Sequence, residues 1–223
     1  MTEHDVPDTS GQLDAVERSV SVEHHDRTVH TEVALSQTYR TDIHDLWEAC
    51  TPPERLVRWL GSVGGELRVG GRYRIEGVAS GTIQTCDPPH GFTATWEHAD
   101  HVSWFTVRLE PHGDDRTRLV LTHTADEDRE DWATYGSGAG GVGWDLALLG
   151  LAHHLATGSA TPPEATTWID SDGAHRFIAD SSRRWADEAV VAGVRDALAR
   201  AAQERTTATF LGHDAVVDGS GPG

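Results

Sequence analysis

Residues 142–156 read VGWDLALLGLAHHLA, and the fold turns on them. Trp144, Leu148, Leu151 and Leu155 fall at i, i+4, i+7 and i+11, one stripe of a 3.6-residue period. Val142, Leu146, Leu149 and Ala152 widen that stripe well beyond a narrow seam. At about 1.5 Å per residue the segment makes a helix some 22 Å long, enough to lie across a whole sheet. Asp145 is expected in its first turn, where a carboxylate suits the positive end of the helix dipole. Ahead of it, residues 136–141 (GSGAGG) predict a flexible loop that neither packs nor holds one conformation. A helix this apolar, placed after many strands, reads as the clamp of a sheet-wrapped core.

Composition narrows the classes. The 223 residues carry 36 acidic and 18 basic side chains, a formal net charge of -18, and every basic residue is Arg. Such a surface disfavours nucleic acid and anionic membranes, because phosphate binding needs clustered cations. Two cysteines, Cys50 and Cys86, make no disulfide framework and suit a reducing compartment. The first ten residues, MTEHDVPDTS, have no apolar core, and no apolar run approaches the roughly 20 residues of a membrane span. These features predict a cytoplasmic protein with no membrane partner.

The pattern elsewhere is that of a meander. Residues 1–27 read as a polar, disordered tail with at most a short turn near 13–16. Val29, Thr31, Val33 and Leu35 alternate with His30, Glu32 and Ala34, a strand running to about Tyr39. Thr41-Asp42 opens a short helix whose Ile43, Leu46, Trp47 and Cys50 share a face. A second helix follows from Thr51 and Pro52 through Leu56, Val57 and Leu60, and Gly61 ends it. Six strands are then expected: Leu67–Val69 after Gly64-Gly65, Tyr73–Gly77, 80–86, 92–96, 102–109 and 117–124. In the fifth, Val102 and Trp104 fall on one face and Phe105 and Val107 on the other. Seven strands in all, joined by short turns and covered by one helix, are an α+β arrangement.

In that order and spacing the pieces resemble the START-like helix-grip superfamily, the SRPBCC proteins. They resemble more narrowly its branch named for the activator of the Hsp90 ATPase, which stands beside the polyketide cyclases. The matching pieces are PERLVRWL at 53–60, the Gly70-Gly71 turn, the Asp87-Pro88-Pro89 turn with Trp96, and Gly143-Trp144 opening the long helix. The resemblance covers residues 28–157 and implies a curved antiparallel sheet gripping the helix, with a cavity between them. Within the family it leaves three roles: carrier of a small apolar or amphipathic ligand without catalysis, chaperone-contacting domain linked to stress response, and cyclase-like or hydrolytic enzyme. The first is preferred. Trp59, Tyr73, Ile75, Trp96, Trp104, Trp144 and Leu148 are the candidate ligand wall. An open cavity and a core filled by these same aromatics both remain readings of the sequence.

Other motifs carry less. Residues 136–141 satisfy G-x-G-x-x-G but lack the preceding strand and βαβ context of a dinucleotide site, so no cofactor is expected. His24-His25 and His98/His101 lack a zinc-type ligand set, so no metal is assigned. His123 and His153-His154 read as structural, and Ser137 has neither an elbow sequence nor a placed His–Asp pair. Asp87, Glu97, Asp126 and Asp145 could each act as acid or base, but spacing pairs none of them, and no catalytic residue is assigned. Past the linker at 158–167, Asp170-Ser171-Asp172 caps a helix carrying Phe177, Ser181, Trp185 and Ala189, and residues 194–211 form another. Trp168, Phe177 and Trp185 must be buried on the parent domain or across a homodimer.

Overall fold

A computed structural model describes residues 7–9, 11–66, 68–113 and 115–212. The chain runs α1 (Gln12–Ala15), β1 (Glu17–His24), β2 (Thr28–Tyr39), α2 (Ile43–Cys50), α3 (Pro53–Leu56) and β3 (Val63–Gly65). The meander follows as β4 (Arg72–Ile75), β5 (Ala79–Asp87), β6 (Gly91–His98), β7 (His101–Pro111) and β8 (Thr117–Asp128). Helices α4 (Arg129–Tyr135) and α5 (Gly138–Thr157), two 3-10 turns, α6 (Asp172–Val191) and α7 (Asp196–Phe210) complete it.

All eight strands form one antiparallel sheet in the order β1-β2-β8-β7-β6-β5-β4-β3. From β2 the chain crosses through α2 and α3 to the far edge, then returns strand by strand until β8 pairs with β2 from Thr28↔Asp128 to Tyr39↔Thr117. The result is the α+β START-like helix-grip: a curved sheet whose inner face holds α5. Asp42 starts α2 by accepting from the backbone N–H groups of His44 and Asp45 at 2.8 and 3.0 Å. Ser171 starts α6 in the same way through the N–H of Ala174.

Four features differ from the sequence reading. There are eight strands rather than seven, because residues 17–24, expected in a disordered tail, pair with β2 from Glu17↔Ser36 to His24↔Val29. Arg18, Val20 and Val22 alternate inward there, a half-buried edge strand of low hydrophobicity. The strand expected at Leu67–Val69 is set at Val63–Gly65; Val69 lies exposed in the following turn, and Leu67 lies outside the described residues. The expected tails at 1–6 and 213–223 also lie outside them.

The glycine run is the third difference. It begins α5 instead of preceding it, giving a helix of 20 residues and about 30 Å. A Cβ on Gly141 would sit 2.3 Å from the Trp185 ring, so the run is where α6 comes down onto the backbone of α5. Helix α5 is therefore enclosed on both sides, by the sheet and by α6, as its near-uniform hydrophobicity requires.

The fourth follows from the third. Asp145 lies two turns inside α5, fully buried, and holds Arg18 of β1 in a bidentate ion pair. Trp168, Phe177 and Trp185 bury within their own chain, in one core cluster that runs continuously from Leu13 to Trp185. Both ends of the described chain are thus built into the same body.

Candidate functional site

A cavity of about 680 Å³ lies between the inner face of the sheet, α5, and the α2–α3 pair. Helix α5 contributes Trp144, Ala147, Leu148 and Leu151 to its wall, while the sheet contributes residues of β3 to β8. Helices α2 and α3 close it as a lid. Hydrogen bonds brace the lid internally and tie it to α5: the indole N–H of Trp59, just after α3, donates to Ala49 O on α2 at 2.9 Å. Arg55 donates from Nε to His154 Nε2 on α5 at 3.2 Å and from its terminal nitrogens to Asp45 Oδ1. The exposed lining residues, Glu48, Pro53, Gly65, Cys86 and Pro88, mark a mouth between the lid and the β5–β6 turn.

Six of the seven residues chosen from sequence reach this wall: Trp59, Tyr73, Ile75, Trp96, Trp144 and Leu148. The seventh does not. Trp104 stands on the outer face of β7, 40% exposed, opposite Thr95 and Thr124. The strand carries apolar residues at both parities, and Phe105, Val107 and Leu109 take the inner phase. Phe105 is the residue that sequence missed most plainly. It sits edge-on to Tyr73, Phe92 and Trp96 and 5.7 Å from the Trp144 ring, the hub of the aromatic wall. Its shared parity with Val107 and Leu109 was the signal available.

The polar tips of the aromatic wall are largely occupied by the protein. The Tyr73 hydroxyl donates to Thr95 O at 2.6 Å, and its burial, with the charge of Glu97, pushes the phenol further above its usual range. The Trp144 indole donates to His123 Nδ1 at 3.0 Å, which leaves Nε2 as the protonated nitrogen, donating to Ser103 Oγ at 2.7 Å. Ser103 in turn donates to Trp96 O at 3.3 Å. This relay fixes Trp96 and Trp144 from behind, and burial pulls His123 down to about 4. Cys50 and Cys86 both line the cavity; burial pushes the Cys50 thiol up to about 12 and, helped by the Asp87 charge, raises Cys86 as well. Neither is a thiolate nucleophile at neutral pH.

The remaining candidates sit elsewhere. Glu97 pairs with Arg72 at 2.6 Å, which holds its carboxyl low, and Asp126 pairs with His30 at 2.8 Å. Asp87 is on the mouth turn, 3.8 Å from His90, and Asp145 is in the core behind α5. His98 contacts Val78 O, His154 bonds Arg55 and Ser159 O, and Ser137 donates to Trp185 O. The structure does not bring these groups together. Among the described residues no three His, Cys, Asp or Glu side chains converge as metal ligands, and no helix is long and apolar enough to cross a membrane.

His123 gives a pH signature. Its folded pKa of about 4 lies below the value of about 6.5 of an unfolded histidine, so only the unfolded chain takes up a proton between those limits. Stability present above pH 6.5 is then lost as the pH falls toward 4. Urea unfolding should show about 2 kcal/mol less stability from this group at pH 5 than at pH 7. In His123→Gln that increment should vanish. An unchanged difference between the two pH values in the variant would show that His123 is not the group responsible.

Residues 40–156 match the family described as Activator of Hsp90 ATPase homolog 1-like protein. Among solved structures, the chain is similar to CalU16 from Micromonospora echinospora. Its solution structure is 28% identical with a TM-score of 0.66, covering 82% of this chain and 99% of that one. The crystal structure of the same protein gives 27% and 0.61, over 78% and 98%. A conserved protein of unknown function from Enterococcus faecalis, EF2215, shares the fold at 14% identity and a TM-score of 0.54, over 76% of this chain and 91% of that one. The chain has no match among curated proteins.

Proposed function

The chain belongs to the Activator of Hsp90 ATPase homolog 1-like family, and we propose that it is a binding module that encloses a small apolar or amphipathic molecule. The cavity carries this reading. Protein interiors are close-packed, and voids in them are usually smaller than a few side chains. A space of about 680 Å³ faced by aromatic rings has the size and wall chemistry of a ligand pocket rather than of a packing defect. The lid and the relay behind Trp96 and Trp144 hold the wall in place without using the cavity. Containment is favoured over catalysis in the same space because burial keeps Tyr73, Cys50 and Cys86 protonated and weakly nucleophilic. A chaperone-contacting role would fall instead to the outer face, where Val102 and Trp104 stand exposed on β7.

The test uses the neutral dye N-phenyl-1-naphthylamine, which brightens in apolar surroundings. Its emission should rise to saturation at one dye per chain. Ala147→Phe, which points an aromatic side chain into the open space from α5, should abolish the rise while leaving the melting temperature within a few degrees of the parent. A parent chain that leaves the dye dark would end the enclosure reading.

A further inference from the structure

Among the described residues, Glu48 is the one charged side chain in the cavity wall. It lies on α2 beside Trp47, exposed, at the mouth. The opposite rim carries the same sign: Cys86 and Pro88 line the mouth, and Asp87 stands between them with its carboxylate exposed. His90, 3.8 Å from Asp87, is the basic neighbour on that turn and is also exposed. On the lid, the guanidinium of Arg55 is drawn away to Asp45 and His154, and Arg58 is exposed outside the wall. The chain as a whole carries -18 and has no lysine. An entering molecule therefore meets an apolar interior behind an anionic rim.

We infer that the cavity selects amphiphiles whose polar end is cationic, such as a protonated amine, with the apolar body among the aromatic rings and the ammonium at Glu48. This rests on the enclosure reading above and goes beyond it. A carboxylate ligand of the same shape would place its charge against Glu48 and, more distantly, Asp87. The physical basis is modest but directional: an exposed ion pair is weak, so attraction for one sign and repulsion for the other should separate the two by roughly two- to thirtyfold in affinity.

The experiment displaces bound N-phenyl-1-naphthylamine with decylamine, 1-decanol and decanoate, which share one chain and differ in head group. Decylammonium should displace best, 1-decanol next and decanoate last. The spread should shrink in 0.5 M salt, since the Debye length there falls to a few ångströms, about 4 Å. Glu48→Gln should collapse cation and anion onto the alcohol, and Glu48→Lys should reverse their order. Glu48 is surface-exposed, and a melting curve of each variant separates a change of selectivity from a loss of fold. If all three compounds displace equally in the parent, or the Glu48 variants keep its order, the charge selection is overturned while the enclosure reading stands. If 1-decanol and the dye do not bind at all, both fall together.

Discussion

Replacing Asp145 by Ala is expected to cost about 3–5 kcal/mol of stability, because it strands a buried guanidinium. The carboxylate is wholly inaccessible and the Arg18 side chain only 4% exposed. Arg18 donates to Asp145 Oδ1 at 2.6 Å and to Oδ2 at 3.1 Å; Ser181 and Trp185 of α6 donate to Oδ2 at 2.6 and 3.0 Å. The remaining guanidinium nitrogen donates to the carbonyls of Leu13 and Val16, and the cation lies 5.9 Å from the centre of the Trp185 ring. One carboxylate thus joins β1, α5 and α6. Removing it leaves the cation desolvated and two α6 donors unpaired, each a penalty of its own. For a chain of this length the loss should lower the melting temperature by on the order of 10 °C. The double replacement Arg18→Met with Asp145→Leu should cost less than Asp145→Ala alone, because it removes both charges and keeps apolar volume. A single variant melting within about 2 °C of the parent would show that the pair does not bear this energy.

Asp145 also shows where sequence information ends. The stripe through Trp144, Leu148 and Leu151 is periodic, so the helix, its apolar character and its place against the sheet are legible. The α+β meander is legible for the same reason. The start of the helix is not, because glycine has poor intrinsic helix propensity, and Gly138 and Gly141 owe their place in α5 to packing against Thr206 of α7 and Trp185 of α6. Asp145, seven residues on, then changes from a dipole partner into the centre of a buried network, since its partners lie 127, 36 and 40 residues away. The same limit hides β1, whose inward residues include Arg18: a charged residue reads as surface until a distant carboxylate accounts for it. For the cavity, five wall residues follow from aromatic content and the helix stripe, and Ile75 follows from its strand alternation with Tyr73. Trp104 fails because the 102–109 stretch is apolar at both parities; the inward phase is the one that Phe105 shares with Val107 and Leu109, opposite Ala94 and His123 of the neighbouring strands.

Ending the chain after Thr161 should abolish cooperative folding rather than trim an appendage. Helix α6 leaves Trp185, Phe177 and Ile178 less than a few per cent exposed, all in the main core cluster. Each contributes about 2–3 kcal/mol through burial. Their combined loss approaches the 5–15 kcal/mol that typically separates a folded domain from its unfolded chain. Truncation also takes Ser181 and Trp185 from Asp145 and uncovers the backbone of α5 at Gly141, where the Trp185 ring lies too close to admit even a methyl group. The shortened chain should therefore lack a sharp melting transition, associate in size-exclusion chromatography and bind hydrophobic dye nonspecifically, without saturating at one per chain. Adding residues 162–212 as a separate polypeptide should restore a cooperative melt, because the contacts that are lost are noncovalent. Within the full chain, Trp185→Ala should reproduce part of the loss, by about 3–5 kcal/mol for a large buried aromatic. If the truncated chain instead melts at the parent temperature and takes up one dye, α6 and α7 are dispensable to the grip, and the core ends at α5.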